Sequence, residues 1–102
     1  VWEIPGGRLD EGENPFTGLQ REVKEETGLD IEVKNPLDVD YFVRADNQTI
    51  TMLIFLCESK NNNVVLSEEH IEYKWCTIDT VKEDLVDFFH DSVDCYAEYF
   101  RK

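Results

Sequence analysis

Apolar residues change their spacing several times along this chain, and each change marks an element. Trp2 and Ile4 alternate with Glu3, as at the end of a strand. Pro5-Gly6-Gly7 then stops the strand and forces a tight turn. Arg8 to Glu13 is polar and loop-like. Asn14 is placed to cap a helix, and Pro15 suits its first position, where a missing N–H does no harm. The helix runs to about Thr27, with Phe16, Leu19, Val23 and Thr27 on one face. Gly28 fits the left-handed position that ends such a helix. Gly18 lies inside it, at a cost of about 1 kcal/mol relative to alanine. A close approach of the helix to a sheet would explain that glycine.

The spacing then shortens. Ile31 to Val33 is a short strand, and Leu37, Val39, Tyr41 and Val43 form a half-buried one. Asp46-Asn47 reads as a turn. Thr49 to Cys57 is apolar and β-branched, as in a central strand. A loop at Lys60 to Asn63 precedes a short edge strand at Val64 to Leu66, and Ile71, Tyr73 and Trp75 alternate as in another strand. Asp79 or Thr80 is placed to cap a short helix through Leu85. Phe89, Val93, Tyr96 and Phe100 share a face of a last helix, with Arg101 and Lys102 at the end where cations are favoured. Strand, helix, several strands, helix: this order points to one layered α/β domain spanning residues 1–102. The chain opens inside a strand, so strands preceding Val1 are expected.

Composition narrows the class. Apolar residues make up 41% of the 102, enough for one core and against a disordered acidic tail. No apolar run reaches the roughly 18 residues that span a bilayer. A formal net charge of -13 repels nucleic acid and anionic membranes, so neither is an expected partner. An anionic small substrate is compatible with that charge if a cation mediates its binding. Cys57, Cys76 and Cys95 form no C-x-x-C pair; they read as small hydrophobes in a reducing cytoplasm.

The chemistry concentrates in Arg21-Glu22-Val23-Lys24-Glu25-Glu26-Thr27-Gly28. On a helix, Glu22 and Glu26 are one turn apart, Glu25 is on the next ridge, and Arg21 is one turn before Glu25. The like-charge pairs cost about 0.2–0.5 kcal/mol each. All three glutamates sit in the C-terminal half, where the helix dipole disfavours anions. A bound divalent cation would reverse both penalties, and clustered carboxylates suit Mg²⁺ or Mn²⁺ better than zinc. This local pattern alone leaves a solvated helix face and a cation site both open.

The wider pattern is more specific. Gly7, Glu13, Arg21, Glu22, Val23, Glu25, Glu26, Gly28 and Leu29 read G-x5-E-x7-R-E-V-x-E-E-x-G-L. This resembles the Nudix box, G-x5-E-x7-R-E-U-x-E-E-x-G-U with U aliphatic, at every specified position. The resemblance implies an α/β/α sandwich with a mixed central sheet, part of whose N-terminal strands would be missing here. It implies hydrolysis of a pyrophosphate bond in a nucleoside diphosphate linked to another group, with Mg²⁺ as cofactor and Mn²⁺ as an alternative. On that reading Glu22 and Glu26 are direct metal ligands. Glu25 is a further ligand or the base that takes the proton of the attacking water. The carbonyl of Gly6 is an additional ligand. Arg21 orients a carboxylate, Glu13 braces the loop through Arg21 or backbone N–H groups, and Gly7 and Gly28 serve the backbone. Some members add a glutamate from a later loop. Glu68, Glu69 and Glu72 are the candidates, with Glu69 favoured as a catalytic residue and surface acids as the alternative. His70 and His90 read as ordinary polar residues.

Substrate choice lies outside the box. Some subfamilies carry a proline or tyrosine some fifteen to eighteen residues after it, and Arg44 to Asn47 has neither. A nucleoside triphosphate substrate is therefore preferred to ADP-ribose or a dinucleoside polyphosphate. Tyr41, Phe42, Tyr73 and Trp75 are base-stacking candidates, with core packing as the alternative. A homodimer is compatible with the sequence. The competing function is a non-catalytic nucleotide-binding or regulatory module, against which the retention of all three helix glutamates counts.

Overall fold

Helix α1, Pro15–Thr27, starts and stops on side-chain chemistry. The Asn14 side chain accepts the Phe16 N–H at 2.8 Å, Pro15 occupies the first turn, and Gly28 closes the helix at φ 74° with its N–H on the Lys24 carbonyl. The computed structural model describes residues 2–68 and 72–100. Two antiparallel strands follow α1, β1 at Ile31–Val43 and β2 at Thr49–Ser59. Two single-turn 3₁₀ segments, Val81–Glu83 and Asp87–Phe89, lead into helix α2, His90–Tyr99.

The two strands expected at Ile31–Val33 and Leu37–Val43 are one. The register slips by one residue between Val33 and Asn35 and again between Pro36 and Asp38. These two bulges absorb Lys34 and Leu37 and let Pro36, which has no N–H to donate, stay within the strand. Because there are two slips, Ile31, Val33, Pro36, Val39, Tyr41 and Val43 pair in turn with alternate residues of β2, from Ser59 to Thr49. They therefore share one face of the ribbon.

The helices cover opposite faces at opposite ends. Val23 and Leu19 of α1 pack with Leu29, Ile31, Val33, Cys57 and Val64, and the Phe16 ring lies 5.3 Å from that of Phe55. On the other face, Ile54 and Met52 meet Leu85, Phe89, Phe88 and Val93, and Ser92 is buried with its hydroxyl donating to Asp38 at 3.0 Å. The chain is thus a small α/β/α arrangement. Beyond α1, Val39, Tyr41, Val43 and Leu53 stay exposed. Trp2 forms an isolated parallel bridge with Leu85, and its carbonyl accepts the Val86 N–H at 3.0 Å. That bridge is the one parallel element beside the antiparallel pair among the described residues.

Three expected elements take other forms. Val64–Leu66 is no strand; its neighbourhood instead caps α1, with Val65 N–H on the Thr27 carbonyl at 2.7 Å and Ser67 N–H on the Glu26 carbonyl at 3.1 Å. Those carbonyls have no partner within the helix, so the segment is drawn to them rather than to a sheet edge. Residues 72–76 are irregular, and Tyr73 and Trp75 are exposed; alternation makes a strand only where a neighbour supplies the ladder. Ile71 lies outside the described residues, as do Arg101 and Lys102. The helix expected through Leu85 shrinks to Val81–Glu83, and Thr80 makes no side-chain cap.

Ile54→Ala removes the centre of the α2-side core and lowers the unfolding free energy by about 2–5 kcal/mol. Val39→Ala, on the open stretch, changes it by about 0.5 kcal/mol or less. Urea denaturation of both variants against the parent measures the contrast.

Candidate active site

The Gly6-Gly7 turn lies against α1. Gly6 donates its N–H to Glu26 Oε2 at 3.1 Å. A Cβ at Gly7 would fall on the Glu22 carboxylate, so a side chain there would push that carboxylate out of place. Gly18 is explained similarly. A Cβ there would strike Leu9 and crowd Glu13, so the close neighbour is the loop and not the expected sheet. Gly28 combines its positive φ with Val65 3.3 Å from where a Cβ would stand.

Arg21 holds the loop to the helix. Its Nε and NH2 groups donate to the two carboxylate oxygens of Glu13 at 2.7 and 2.9 Å, a bidentate pair. Glu13 also accepts the Asp10 N–H at 2.9 Å. The same guanidinium reaches Glu22 and Glu25 through NH1, each at 3.1 Å, and Asp10 at 3.5 Å. Its NH2 group also donates to the Arg8 carbonyl at 3.4 Å. One cation therefore faces four carboxylates. The hydrogen bond from Arg21, then that from the Asp10 N–H, lowers the Glu13 pKa from 4.5 to about 2. Glu13 in turn raises the Arg21 pKa above its ordinary value.

Glu22, Glu25 and Glu26 line one cleft of about 310 Å³ together with Ser67 and Glu68. Ser67 has no signal in the sequence; it arrives because its N–H seeks the end of α1. Glu68 arrives with it, whereas Glu69 and His70 lie outside the described residues. Glu72 is exposed and is not among the lining residues. The His90 ring bonds the Leu85 carbonyl at 2.8 Å, beside α2 rather than the cleft. Tyr41, Phe42, Tyr73 and Trp75 are all exposed. A second hollow, about 350 Å³, lies on the other flank of α1 between Gln20, Asp30, Ile31 and Lys60. It gathers no carboxylate cluster, so size does not decide which of the two is the site.

The donor set of the first cleft, all carboxylate oxygen on one wall, fits a hard divalent cation. Among the described residues, no three acidic, histidine or cysteine side chains stand in a ready-made ligating arrangement. Glu22 and Glu25 are held by Arg21 and Glu26 by Gly6, so a cation would have to draw them together.

Comparison with known proteins agrees with this architecture. The NUDIX domain model matches residues 1–96, and the chain belongs to that family. It is 35% identical over 89 residues to a MutT-like protein of Streptomyces ambofaciens, covering 87% of this chain and 56% of that one. It is 33% identical over 81 residues to the mouse bis(5'-nucleosyl)-tetraphosphatase (asymmetrical), covering 72% of this chain and 54% of the relative. The chain thus spans just over half the length of these two curated relatives. The crystal structure of a MutT protein from Methanosarcina mazei Go1 superposes with a TM-score of 0.84 at 27% identity, covering 99% of this chain and 74% of that one.

A carboxyl with a depressed folded-state pKa stabilises the fold above its unfolded value, and the contribution is lost as pH falls through the folded one. For Glu13 that window runs from about pH 4.5 down to about 2. The stability difference between the parent and Glu13→Gln, measured by denaturation at pH 6, 4, 3 and 2, should be constant above the window and shrink within it.

Proposed function

We propose that this chain is a pyrophosphohydrolase, cleaving a nucleoside diphosphate linked to another group with the help of a divalent cation, Mg²⁺ or alternatively Mn²⁺. The observation that carries the reading is the placement of Glu22, Glu25 and Glu26 on one wall of one cleft, within a complete Nudix box. Glu22 and Glu26 would hold the cation, with Glu25 and the Gly6 carbonyl as further donors. A divalent cation there offsets phosphate charge and makes water more acidic. Glu25, at 60% exposure against 18% for Glu22, takes the proton of the attacking water. Glu69 remains a candidate for that task. Arg21 positions Glu22 and Glu25, and Glu13 holds Arg21 in place. Gly7 and Gly28 let the turn and the capping segment approach α1.

The substrate we favour is a nucleoside triphosphate. The absence of proline or tyrosine at Arg44 to Asn47 supports that choice. The mouse tetraphosphatase supports a second reading, a dinucleoside polyphosphate. Three free cysteines suit a reducing compartment, and we place the protein in the cytoplasm. Among the described residues no helix is long and apolar enough to cross a membrane.

A panel of nucleoside triphosphates, oxidised nucleotides, dinucleoside polyphosphates, ADP-ribose and nucleotide sugars, each with Mg²⁺ and with Mn²⁺, tests the reading by release of phosphorylated product. Turnover of a triphosphate is the expected result, and no turnover of any compound would favour a binding module. Glu26→Gln should lower kcat at least about a hundredfold with the circular dichroism spectrum and melting midpoint nearly unchanged.

A further inference from the structure

In a chain of net charge -13, most of the described cations are held by carboxylates. Lys60 is not. Its ammonium has neither an ion pair nor a hydrogen bond among the described residues. Its backbone is nonetheless fixed. Lys60 follows β2 directly, and its N–H donates to the Asp30 carbonyl at 2.8 Å. It borders the hollow of about 350 Å³ on the flank of α1 away from the carboxylate cleft, where Gln20, Asp30 and Ile31 form the other walls. That volume lies at the lower end of the range for small-molecule sites.

The walls also carry acceptors without donors. Gln20 donates its Nε2 to the Ile31 carbonyl at 3.3 Å, which leaves its Oε1 without a partner among the described residues. Asp30 holds Lys24 through Oδ1 at 3.1 Å and the Asn61 Nδ2 through Oδ2 at 3.3 Å. Asn61 Oδ1, on the same amide, is buried and has no hydrogen-bond partner among the described residues. Buried acceptors are ordinarily satisfied, and one that is not marks a place where a donor from outside the chain belongs. The hollow thus brings together one free cation, a free amide oxygen, and a carboxylate whose amide neighbour lacks a donor.

Charge selects the ligand. A carboxylate satisfies Lys60, and N–H donors satisfy the Gln20 and Asp30 walls. A molecule with negative charge alone would meet Asp30 and the field of the whole chain. One with positive charge alone would meet Lys24 and Lys60. A small molecule carrying both charges, and none in sum, avoids both penalties. We propose that this hollow binds an α-amino carboxylate as its zwitterion, with the carboxylate on Lys60 and the ammonium on Asp30 and Gln20 Oε1. The site is separate from the carboxylate cleft and does not depend on the hydrolase reading.

The test is an NMR titration of the chain with L-alanine, acetate, methylammonium and inorganic phosphate in turn. It follows the backbone amides of Asp30, Ile31, Lys60 and Asn61 and the side-chain amide of Gln20. The expected result is saturable shifts with L-alanine at a Kd of about 1 mM, with the other three compounds at least about tenfold weaker. Lys60→Gln should weaken L-alanine binding at least about tenfold and Gln20→Met about threefold. Arg44→Gln makes the same charge change at the hairpin tip, where Arg44 pairs with Asp46, and should leave binding at the parental value. No saturable shift with L-alanine well above that Kd would overturn the assignment. So would acetate or phosphate binding as tightly as L-alanine, or equal effects of Lys60→Gln and Arg44→Gln.

Discussion

The bidentate pair between Arg21 and Glu13 is the contact on which the rest of the site depends. Besides it, the glycine-containing loop meets the acidic helix through Gly6, Gly7, the Leu9 side chain beside Gly18, and longer Arg21 contacts to Asp10 and the Arg8 carbonyl. With it, Glu13 is tied both to the helix through Arg21 and to its own loop through the Asp10 N–H. The same guanidinium has capacity left for Glu22 and Glu25, which sit where the helix dipole disfavours anions. Like-charge repulsion along α1 is thereby partly offset.

The scaffold explains why α1 is a steady platform. One flank of the helix carries Val23 and Leu19 into a core with Ile31, Val33 and Cys57. Its C-terminal carbonyls are satisfied by Val65 and Ser67, and this brings Ser67 and Glu68 to the cleft. Capping and site building are therefore one act. The two bulges in β1 keep a single ribbon face aligned along its length, so α1 packs on one side while α2 packs on the other.

What was legible in the sequence was mostly local. Asn14, Pro15 and Gly28 delimit α1 because caps act within a few residues of chain. The box was legible as a resemblance to a known pattern, of which the stretch from Arg21 to Glu26 lies on α1. The rest needed partners distant in sequence. Nothing near Val64 says that its neighbours will bond α1 rather than a strand, and nothing near Gly18 names Leu9 as what it must clear. Residues 31–33 and 37–43 read as two strands, yet a bulge on either side of the Asn35-Pro36 pair joins them into one. The alternation at Tyr73 and Trp75 predicted a strand, and no ladder forms there among the described residues. The fourth cleft carboxylate illustrates the same limit. Periodicity could not separate Glu68 from its neighbours, whereas the backbone bond at Ser67 does place Glu68.

The central claim is that side chains on two turns of α1, together with the glycine turn, gather around one divalent cation. Titration with Mn²⁺ followed by amide NMR tests this without requiring turnover. The account predicts that substoichiometric Mn²⁺ broadens the amides of Gly6, Gly7, Glu22, Glu25 and Glu26 first, and that excess Mg²⁺ restores them. Broadening centred on other acidic stretches, such as Glu83 and Asp84 or Asp91 and Asp94, with the glycine turn unaffected, would contradict it.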